Sequence, residues 1–423
     1  YEITCRDWIS DVCSSDLLYI ASKPEYDLAR KLAPGIEYHT YNRNAINMAD
    51  FTDNKVNDCI DRIDQSVLHS ITDSYSADPY PTSNLERDGR ERSVYHVGFV
   101  SKLITDLAAG KSSKIIMQGF RFSGLLPTSR DIREWTSQAA KAGVTHLDWF
   151  GTQRYDNPEF YREVLRLSHV WKNMPALDIP KSGDIAVIYS DDSRNGVNDG
   201  MLHQFYMLHA LLGEHAGAWF RFVGENHVRK GLQSLDSAKL IFAPELRYAS
   251  KSFTTTLTER VKKGATLVML DPDAFDWDIE TGSLARERRE IMGCPEGTPR
   301  DASYIVPTPA GAARFKGIDR LILRPAPAGT VARAFKIPGD ANVLFTYEDG
   351  YPAVYSRKLG GGEVIVFTAM PFGDSKFAIE PHNWDRFFAV LCDERSIARN
   401  LPIWDFLIPA SGGEVATYPL LNR

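Results

Sequence analysis

Four short apolar runs lie in the first part of the chain, and helical patterns separate them. The runs are residues 36–42, 66–78, 114–120 and 144–150, and each ends in polar residues. Period-two runs of this length bounded by polar residues are typical of β-strands. Strands that alternate with helices favour a parallel sheet, which is either an open doubly wound sheet or a closed barrel.

The helix between the last two runs has clear start and stop signals. Thr128 and Asp131 form a capping-box pattern, and Gly143 ends the helix. One apolar stripe lies between these signals, formed by Ile132, Trp135, Ala139 and Ala140. A second helix is predicted over residues 158–173.

A second strand–helix–strand block begins at Gly183. Its predicted strands are residues 183–193, 219–223, 238–245 and 264–270, and helices are predicted over 200–213 and 252–263. The short connections favour a flavodoxin-like layer. Residues 342–372 contain Gly-rich turns and predict antiparallel strands, and a helix is predicted over 384–391.

Composition and charge narrow the function classes. The chain has 423 residues, a length that predicts two or three domains. Its net charge is −6, from 49 basic and 55 acidic residues, and it contains no basic run, which argues against nucleic-acid binding. No apolar run reaches the roughly 18–20 residues that span a bilayer. The five cysteines form no CxxC pair and no cluster with the histidines, so we expect neither a disulfide framework nor a structural zinc site. No cofactor is expected.

The first residues carry an unusual string. Residues 7–17 read DWISDVCSSDL, which resembles the translation of a common sequencing adapter with Ile9 as the only departure. We therefore expect residues 1–17 to be an artefact and natural sequence to begin near Leu18; the alternative is a natural Ser/Asp-rich loop. The localisation, cytoplasmic or secreted, is then undetermined.

The order of the parts resembles the clan of barrel glycoside hydrolases that contains the family 42 β-galactosidases. The matching segments are residues 39–42 (HTYN), 78–81 (DPYP), 184–190 (DIAVIYS), 220–225, 243–245, 264–267, 350–353 and 360–364. The resemblance implies the C-terminal half of a TIM (β/α)8 barrel, then a class I glutamine amidotransferase-like trimerisation domain with a small antiparallel β extension. The implied boundaries are 1–17 for the artefact, 18–178 for barrel strands five to eight, 183–395 for the amidotransferase-like domain and 396–423 for a truncated C-terminal segment.

The catalytic carboxylates of the clan are not both expected here. Retaining glycoside hydrolysis needs two carboxyl groups about 5–5.5 Å apart. The resemblance places the acid/base Glu on strand four, upstream of this chain, and puts Gln118 where the clan has its nucleophile Glu. Three explanations remain open: a lost catalytic function, a nucleophile supplied from elsewhere, or a Gln that holds a sugar hydroxyl.

Polar and aromatic residues at the strand ends are the predicted lining of a sugar pocket. They are Asn42, Asp78, Tyr80, Gln118, Arg121, Asp148 and Trp149. Trp149 would stack on a sugar face, and Asp78 or Asp148 would accept hydroxyl bonds or replace the missing carboxylate. We expect Asp78, Tyr80 and Trp149 to be neighbours of Gln118. The alternative for each residue is a strand-end side chain that caps a neighbouring loop.

The second block lacks the pattern of an amidotransferase active site. No Cys follows the strand at 238–245 closely, and Asp191 and Asp192 would repel a phosphate. His203, His209 and His215 do not share a helix face, so no metal is expected. A structural module is the better interpretation, and the resemblance implies a homotrimer through 183–395. Two functions stay open: a fragment of a glycoside hydrolase, inactive as given, or a non-catalytic carbohydrate-binding or assembly protein.

Overall fold

The computed structural model forms two compact units, residues 1–181 with 400–421 and residues 182–399 with 422–423. The structure describes residues 5–41, 64–81, 94–120, 127–151, 158–173, 183–196, 201–293, 297–300, 302–323, 332–335, 337–373, 375–399, 402–405 and 416–419. None of the described helices is both long enough and apolar enough to cross a membrane.

The first unit contains a parallel sheet flanked by helices. Its described helices are α1 (Cys5–Leu32), α2 (Gln65–Ile71), α3 (His96–Leu107), α4 (Ser129–Ala142) and α5 (Pro158–Asn173). Its sheet strands are β1 (His39–Tyr41), β2 (Ser74–Ala77), β3 (Ser112–Gln118) and β4 (His146–Phe150). They pair in the order β1-β2-β3-β4, all parallel, so the predicted adjacency of the four strands is confirmed. The described strands do not close into a barrel.

The predicted strand over 66–78 is wrong in its first half, which is the helix α2. Asp64 caps this helix, because its carboxylate accepts a hydrogen bond from the Ser66 backbone N–H at 2.8 Å. Leu68 and Ile71 lie one turn apart and are buried, which favours a helix over an extended strand. Only Ser74–Ala77 joins the sheet.

The helix α4 begins and ends as its sequence predicts. The Asp131 backbone N–H donates to the Thr128 hydroxyl at 3.2 Å, and the Thr128 N–H donates to the Asp131 carboxylate at 2.7 Å. Gly143 ends the helix in the left-handed conformation, with φ of 85°. The predicted apolar stripe is buried. The predicted helix over 158–173 is also confirmed, and residues 7–17 fall within α1.

The two faces of the four-stranded sheet differ. On one face Tyr75, Ile115 and Met117 are fully buried, and α3 and α4 pack against β3. The strand register puts a different set of side chains on the other face, which we call the polar face: His39, Ser74, Ser76, Ser112, Lys114, Ile116, Gln118, His146, Asp148 and Phe150. This division follows directly from the period of two along each strand.

The polar face is concave. The rings of His39 on β1 and His146 on β4 have centroids 6.2 Å apart, although β2 and β3 lie between those strands. In a flat sheet three strand spacings would separate β1 from β4 by about 14 Å. Glu37 lies between the two rings: its carboxylate oxygen is 3.3 Å from His39 Nε2 and 3.9 Å from His146 Nε2, and it also accepts from the Ser112 hydroxyl.

The second unit is built on one large mixed sheet. Its described strands are β5 (Ile185–Tyr189), β6 (Arg221–Gly224), β7 (Leu240–Ala243), β8 (Thr266–Met269), β9 (Trp277–Asp278), β10 (Gly282–Ser283), β11 (Gly297–Arg300), β12 (Tyr304–Pro307), β13 (Leu321–Ile322), β14 (Ala332–Phe335), β15 (Asn342–Tyr347), β16 (Pro352–Leu359) and β17 (Gly362–Phe367). Nine of them form the order β13-β12-β15-β16-β17-β8-β7-β5-β6. The five from β17 to β6 are parallel, and the predicted antiparallel strands extend the same sheet.

The second unit also contains helices, most of them short. The described helices are α6 (Asp191–Gly196), α7 (Met201–Leu208) with a π-helical continuation (His209–His215), α8 (Glu225–Arg229), α9 (Lys251–Lys262), α10 (Ala285–Met292), α11 (Pro309–Arg314), a 3-10 turn (Ser375–Ala378) and α12 (Trp384–Glu394). A hairpin near the end of the chain belongs to the first unit. Its strands are β18 (Pro402–Asp405) and β19 (Ala416–Pro419), and β18 contacts α4.

Buried carboxyl groups follow the parallel strands of the second unit. Glu225 comes directly after β6, and its Oε1 accepts from the Ser250 backbone N–H at 2.6 Å, at the start of α9. Burial and the nearby Asp192 raise the pKa of Glu225 to about 7. Glu245, after β7, is buried beside Asp271, and burial raises the pKa of Glu245 well above its ordinary value. These groups favour the protonated state in the folded unit.

The capping box of α4 gives the first prediction. Thr128→Ala removes the hydroxyl that accepts from the Asp131 N–H, so the first unit should lose about 1 kcal/mol of unfolding free energy. Denaturant titration of the whole chain measures this loss. The control is Arg130→Ala, at an exposed position in the same helical turn, which should change little. Equal effects of the two substitutions would contradict the prediction.

The second prediction concerns the pH dependence of the second unit. The pKa of Glu225 is about 7 when folded and near 4.5 when unfolded, so its stabilising effect is complete below pH 4.5 and is lost as the pH rises to about 7. Glu225→Gln should remove about 3 kcal/mol of this dependence, while the remaining buried acids keep a weaker slope of the same sign.

Hydrogen exchange of β5–β8 peptides from the whole chain, followed from pH 4.5 to 8, measures this slope. Glu259→Gln, at an exposed position on α9, is the control and should keep the slope of the unsubstituted protein. Parallel pH profiles for Glu225→Gln and the unsubstituted protein would show that Glu225 does not titrate in this range.

Candidate functional site

The carboxyl ends of β2, β3 and β4 meet at one edge of the first unit, because the strands are parallel and adjacent. Asp78 and Tyr80 follow β2 and are half-buried, Gln118 ends β3, and Phe150 ends β4. In barrel and open α/β folds, ligands bind at this edge of the sheet. The edge is therefore the candidate site.

Three aromatic rings form a cluster at this edge, which we call the aromatic cluster: Tyr80, Phe120 and Phe150. The Phe120 ring lies edge-on to both others, with centroids 5.0 Å from Tyr80 and 5.5 Å from Phe150. Tyr80 and Phe150 are stacked at 6.4 Å. Phe150 is 55% exposed, so the cluster presents an aromatic surface to solvent. Aromatic rings with one free side are suited to contact with the apolar face of a ligand.

Gln118, at the end of β3, is buried and is 0% exposed. Its Nε2 donates to the backbone carbonyl of Phe120 at 3.0 Å. Its register partner on β4 is Phe150, whose carbonyl accepts from the Gly119 N–H at 3.0 Å. Gly151 follows with φ of 83°, and a Cβ there would lie 2.7 Å from the Phe120 Cβ. The missing side chain of Gly151 therefore lets Phe120 approach β4 closely.

The two predicted site residues on β4 point to opposite faces. Asp148 lies on the polar face, largely exposed, with its carboxylate 3.1 Å from Lys114 Nζ. Trp149 pairs in register with Met117 and lies on the other, helix-covered face. Its indole N–H is buried and has no hydrogen-bond partner among the described residues. The expectation that Trp149 neighbours Gln118 is therefore wrong, because side chains alternate along β4.

The predicted site residues thus divide into three groups. Gln118 and Tyr80 reach the same edge, linked through Phe120, and Asp78 directly follows β2 there. Asp148 and Trp149 lie on β4 as described above. Asn42 and Arg121 lie outside the described residues. The sugar-binding role expected for each of these residues stays a prediction.

The edge presents aromatic rings and hydrogen-bonding side chains. Its described residues do not form a pair of catalytic carboxylates. A neutral, buried amide at Gln118 cannot attack an anomeric carbon. Asp148 is paired with Lys114, and Asp78 is the other described carboxylate near the edge. No group of three or more His, Cys, Asp or Glu side chains within the described residues is arranged to hold a metal ion.

The corresponding edge of the second unit is occupied by its own hydrogen bonds. The hydroxyls of Ser190 and Ser193, after β5, both donate to the carbonyl of Tyr248, at 3.1 and 2.6 Å. The Tyr248 N–H donates back to the Ser193 hydroxyl at 3.0 Å. These bonds join the end of β5 and the start of α6 to the loop after β7, so this edge is a weaker candidate.

Sequence reasoning missed Phe120, Phe150 and Glu37. Phe120 and Phe150 are strand-end aromatics, and their positions two residues after Gln118 and two residues after Asp148 could have indicated the same edge. Glu37 contacts His39 two residues away, but it reaches His146 only because the sheet is curved, and no local pattern signals the contact with His146.

Comparison with known proteins places the fold. No family model matches the sequence, and no curated protein matches it. A catalytic mutant of Gan42B, a GH42 β-galactosidase from G. stearothermophilus, matches with a TM-score of 0.68 at 17% identity, over 96% of this chain and 65% of that one. The β-galactosidase of Rahnella sp. R3 matches with a TM-score of 0.70 at 16% identity, over 93% of this chain and 60% of that one.

A lower-scoring structural similarity is to a mannosidase. The exo-β-1,4-mannosidase Op5Man5 from Opitutaceae bacterium strain TAV5 matches with a TM-score of 0.53 at 14% identity, over 76% of this chain and 60% of that one. The chain spans less than two thirds of the length of each of these proteins. The resemblance predicted from the sequence is confirmed for the fold: this chain has an α/β fold similar to that of the family 42 β-galactosidases.

Proposed function

We propose that this chain is the glycoside-binding part of a family 42-like glycoside hydrolase and that it binds β-galactosides without hydrolysing them. One observation carries the proposal. The aromatic cluster lies at the carboxyl edge of a curved parallel sheet, in a fold shared with two β-galactosidases. An exposed ring beside hydrogen-bonding side chains suits a pyranose, which has an apolar ring face and polar hydroxyls.

The architecture in this proposal is the C-terminal half of a TIM barrel. Four consecutive parallel strands with a concave polar face are what half of an eight-stranded barrel would supply. The second unit would be the amidotransferase-like domain, over 183–395, and the strand order β6-β5-β7-β8-β17 supports this because it is the flavodoxin-like order. Its proposed role is assembly of a homotrimer.

Gln118 favours the second candidate function, a non-catalytic carbohydrate-binding protein. A buried amide replaces the carboxylate that the resemblance expects at the end of β3. Both candidates predict sugar binding at the same edge of this chain. They differ in whether a general acid/base Glu acts together with this edge, which an assay for hydrolysis distinguishes from binding alone.

Sugar binding is tested directly on the 423-residue chain. Isothermal titration with methyl β-D-galactopyranoside should show binding, and Phe150→Ala should weaken it about fivefold, because a ring–ligand contact contributes roughly 1 kcal/mol. Tyr351→Ala is the matched control, since Tyr351 is 56% exposed and lies in the second unit. Equal affinity of Phe150→Ala and the unsubstituted chain, or no binding by either, would overturn the proposal.

Hydrolysis gives a separate prediction. The chain should release no 4-nitrophenol from 4-nitrophenyl β-D-galactopyranoside above the uncatalysed rate, because the described edge lacks a free pair of carboxylates. Turnover that is lost in Asp78→Asn would instead identify Asp78 as a catalytic carboxylate. That result would contradict binding without hydrolysis.

A further inference from the structure

The side-chain amide of Gln118 donates a hydrogen bond to the main chain just beyond the end of its own strand. It is 0% exposed, and its Nε2 donates to the Phe120 carbonyl two residues further along. This bond joins the buried side chain to the partly buried main chain where β3 turns away from the sheet, and a hydrogen bond of this kind helps to hold the turn. None of the three explanations drawn from the sequence gives Gln118 this role.

Phe120 is the centre of the aromatic cluster. Its ring is the one that contacts both Tyr80 and Phe150 edge-on. Its backbone is held by Gln118, and its Cβ fits against Gly151, where a methyl group would clash. The neighbouring Gly119 N–H ties the same turn to the Phe150 carbonyl. Displacement of the Phe120 backbone would therefore move the ring that orients the exposed Phe150.

We propose that Gln118 is a positioning residue that fixes the Phe120 turn and thereby the aromatic cluster, instead of contacting the sugar. Only the expected effect on sugar binding rests on the proposed function, because it assumes that the aromatic cluster binds a pyranoside. Its structural part concerns the free chain and can be tested without any sugar.

Two substitutions test the N–H donor of Gln118 separately from the size of its side chain. Gln118→Met keeps a similar size and removes the N–H donor at every pH. Gln118→Glu keeps the shape, and its protonated carboxyl can donate to the Phe120 carbonyl, whereas its ionised form cannot. Burial raises the pKa of such a carboxyl, so the donor should be present near pH 5, and it should be lost as the pH rises toward 8 and the carboxyl ionises.

The first measurement is hydrogen exchange of the Gly119 amide in the whole chain without ligand. Protection relative to the unsubstituted protein should fall about tenfold in Gln118→Met at both pH values. In Gln118→Glu it should fall at pH 8 and be restored at pH 5. Gln138→Met is the matched control, because the amide of this buried Gln bonds to Gly98 and Val94 on a different element.

The second measurement is the affinity for methyl β-D-galactopyranoside at the same two pH values. It should follow the Gly119 protection in every variant. Lower affinity with unchanged Gly119 protection would show that Gln118 touches the sugar, and it would overturn the positioning role. Hydrolysis gained by Gln118→Glu at pH 8 would overturn it as well, because the new carboxylate would then reach the anomeric carbon.

The two proposals fail in different ways. If the unsubstituted chain binds no sugar, the proposed function fails, while the exchange of Gly119 still decides the role of Gln118. If Gly119 protection is the same in all variants and at both pH values, the positioning role is wrong whatever the sugar affinity.

Discussion

The alternation of side chains along four parallel strands is the constraint on which the first unit depends. The register from β1 to β4 assigns every second residue to the helix-covered face and the rest to the polar face. Helix packing buries Ile115 and Met117 on one side and leaves Lys114 and Asp148 on the other. Curvature then brings His39 and His146 together, so the polar face encloses a concave surface that ends in the aromatic cluster.

Much of this fold follows from local signals. The capping box at Thr128, the stop at Gly143 and the helix over 158–173 depend on interactions within a few residues, and a sequence pattern contains them completely. The error over 66–78 has a local cause too. The apolar run predicts a strand over residues 66–71, but the cap at Asp64 and the one-turn spacing of Leu68 and Ile71 favour a helix.

The candidate site was less predictable, because its contacts depend on long-range geometry. Gln118 was identified by its place at a strand end, but its bond to the Phe120 carbonyl depends on how the chain turns after β3. Residue type predicts Trp149 in the pocket, whereas alternation places it on the helix-covered face. Of the two aromatic residues on β4, Phe150 is the one that reaches the edge. Phe150 is the register partner of Gln118, so the two side chains share a face of the sheet. The alternation along β4 therefore favours Phe150 over Trp149 at this edge.

The central claim is that the carboxyl edge of the four-stranded sheet is the sugar-binding surface. A crystal structure of the 423-residue chain with methyl β-D-galactopyranoside tests it most directly. The account predicts the pyranose ring against Phe150, with Phe120 in its described contact with Tyr80 and Gln118 bonded to the Phe120 carbonyl. A sugar bound on the second unit, or on the helix-covered face beside Trp149, would contradict it.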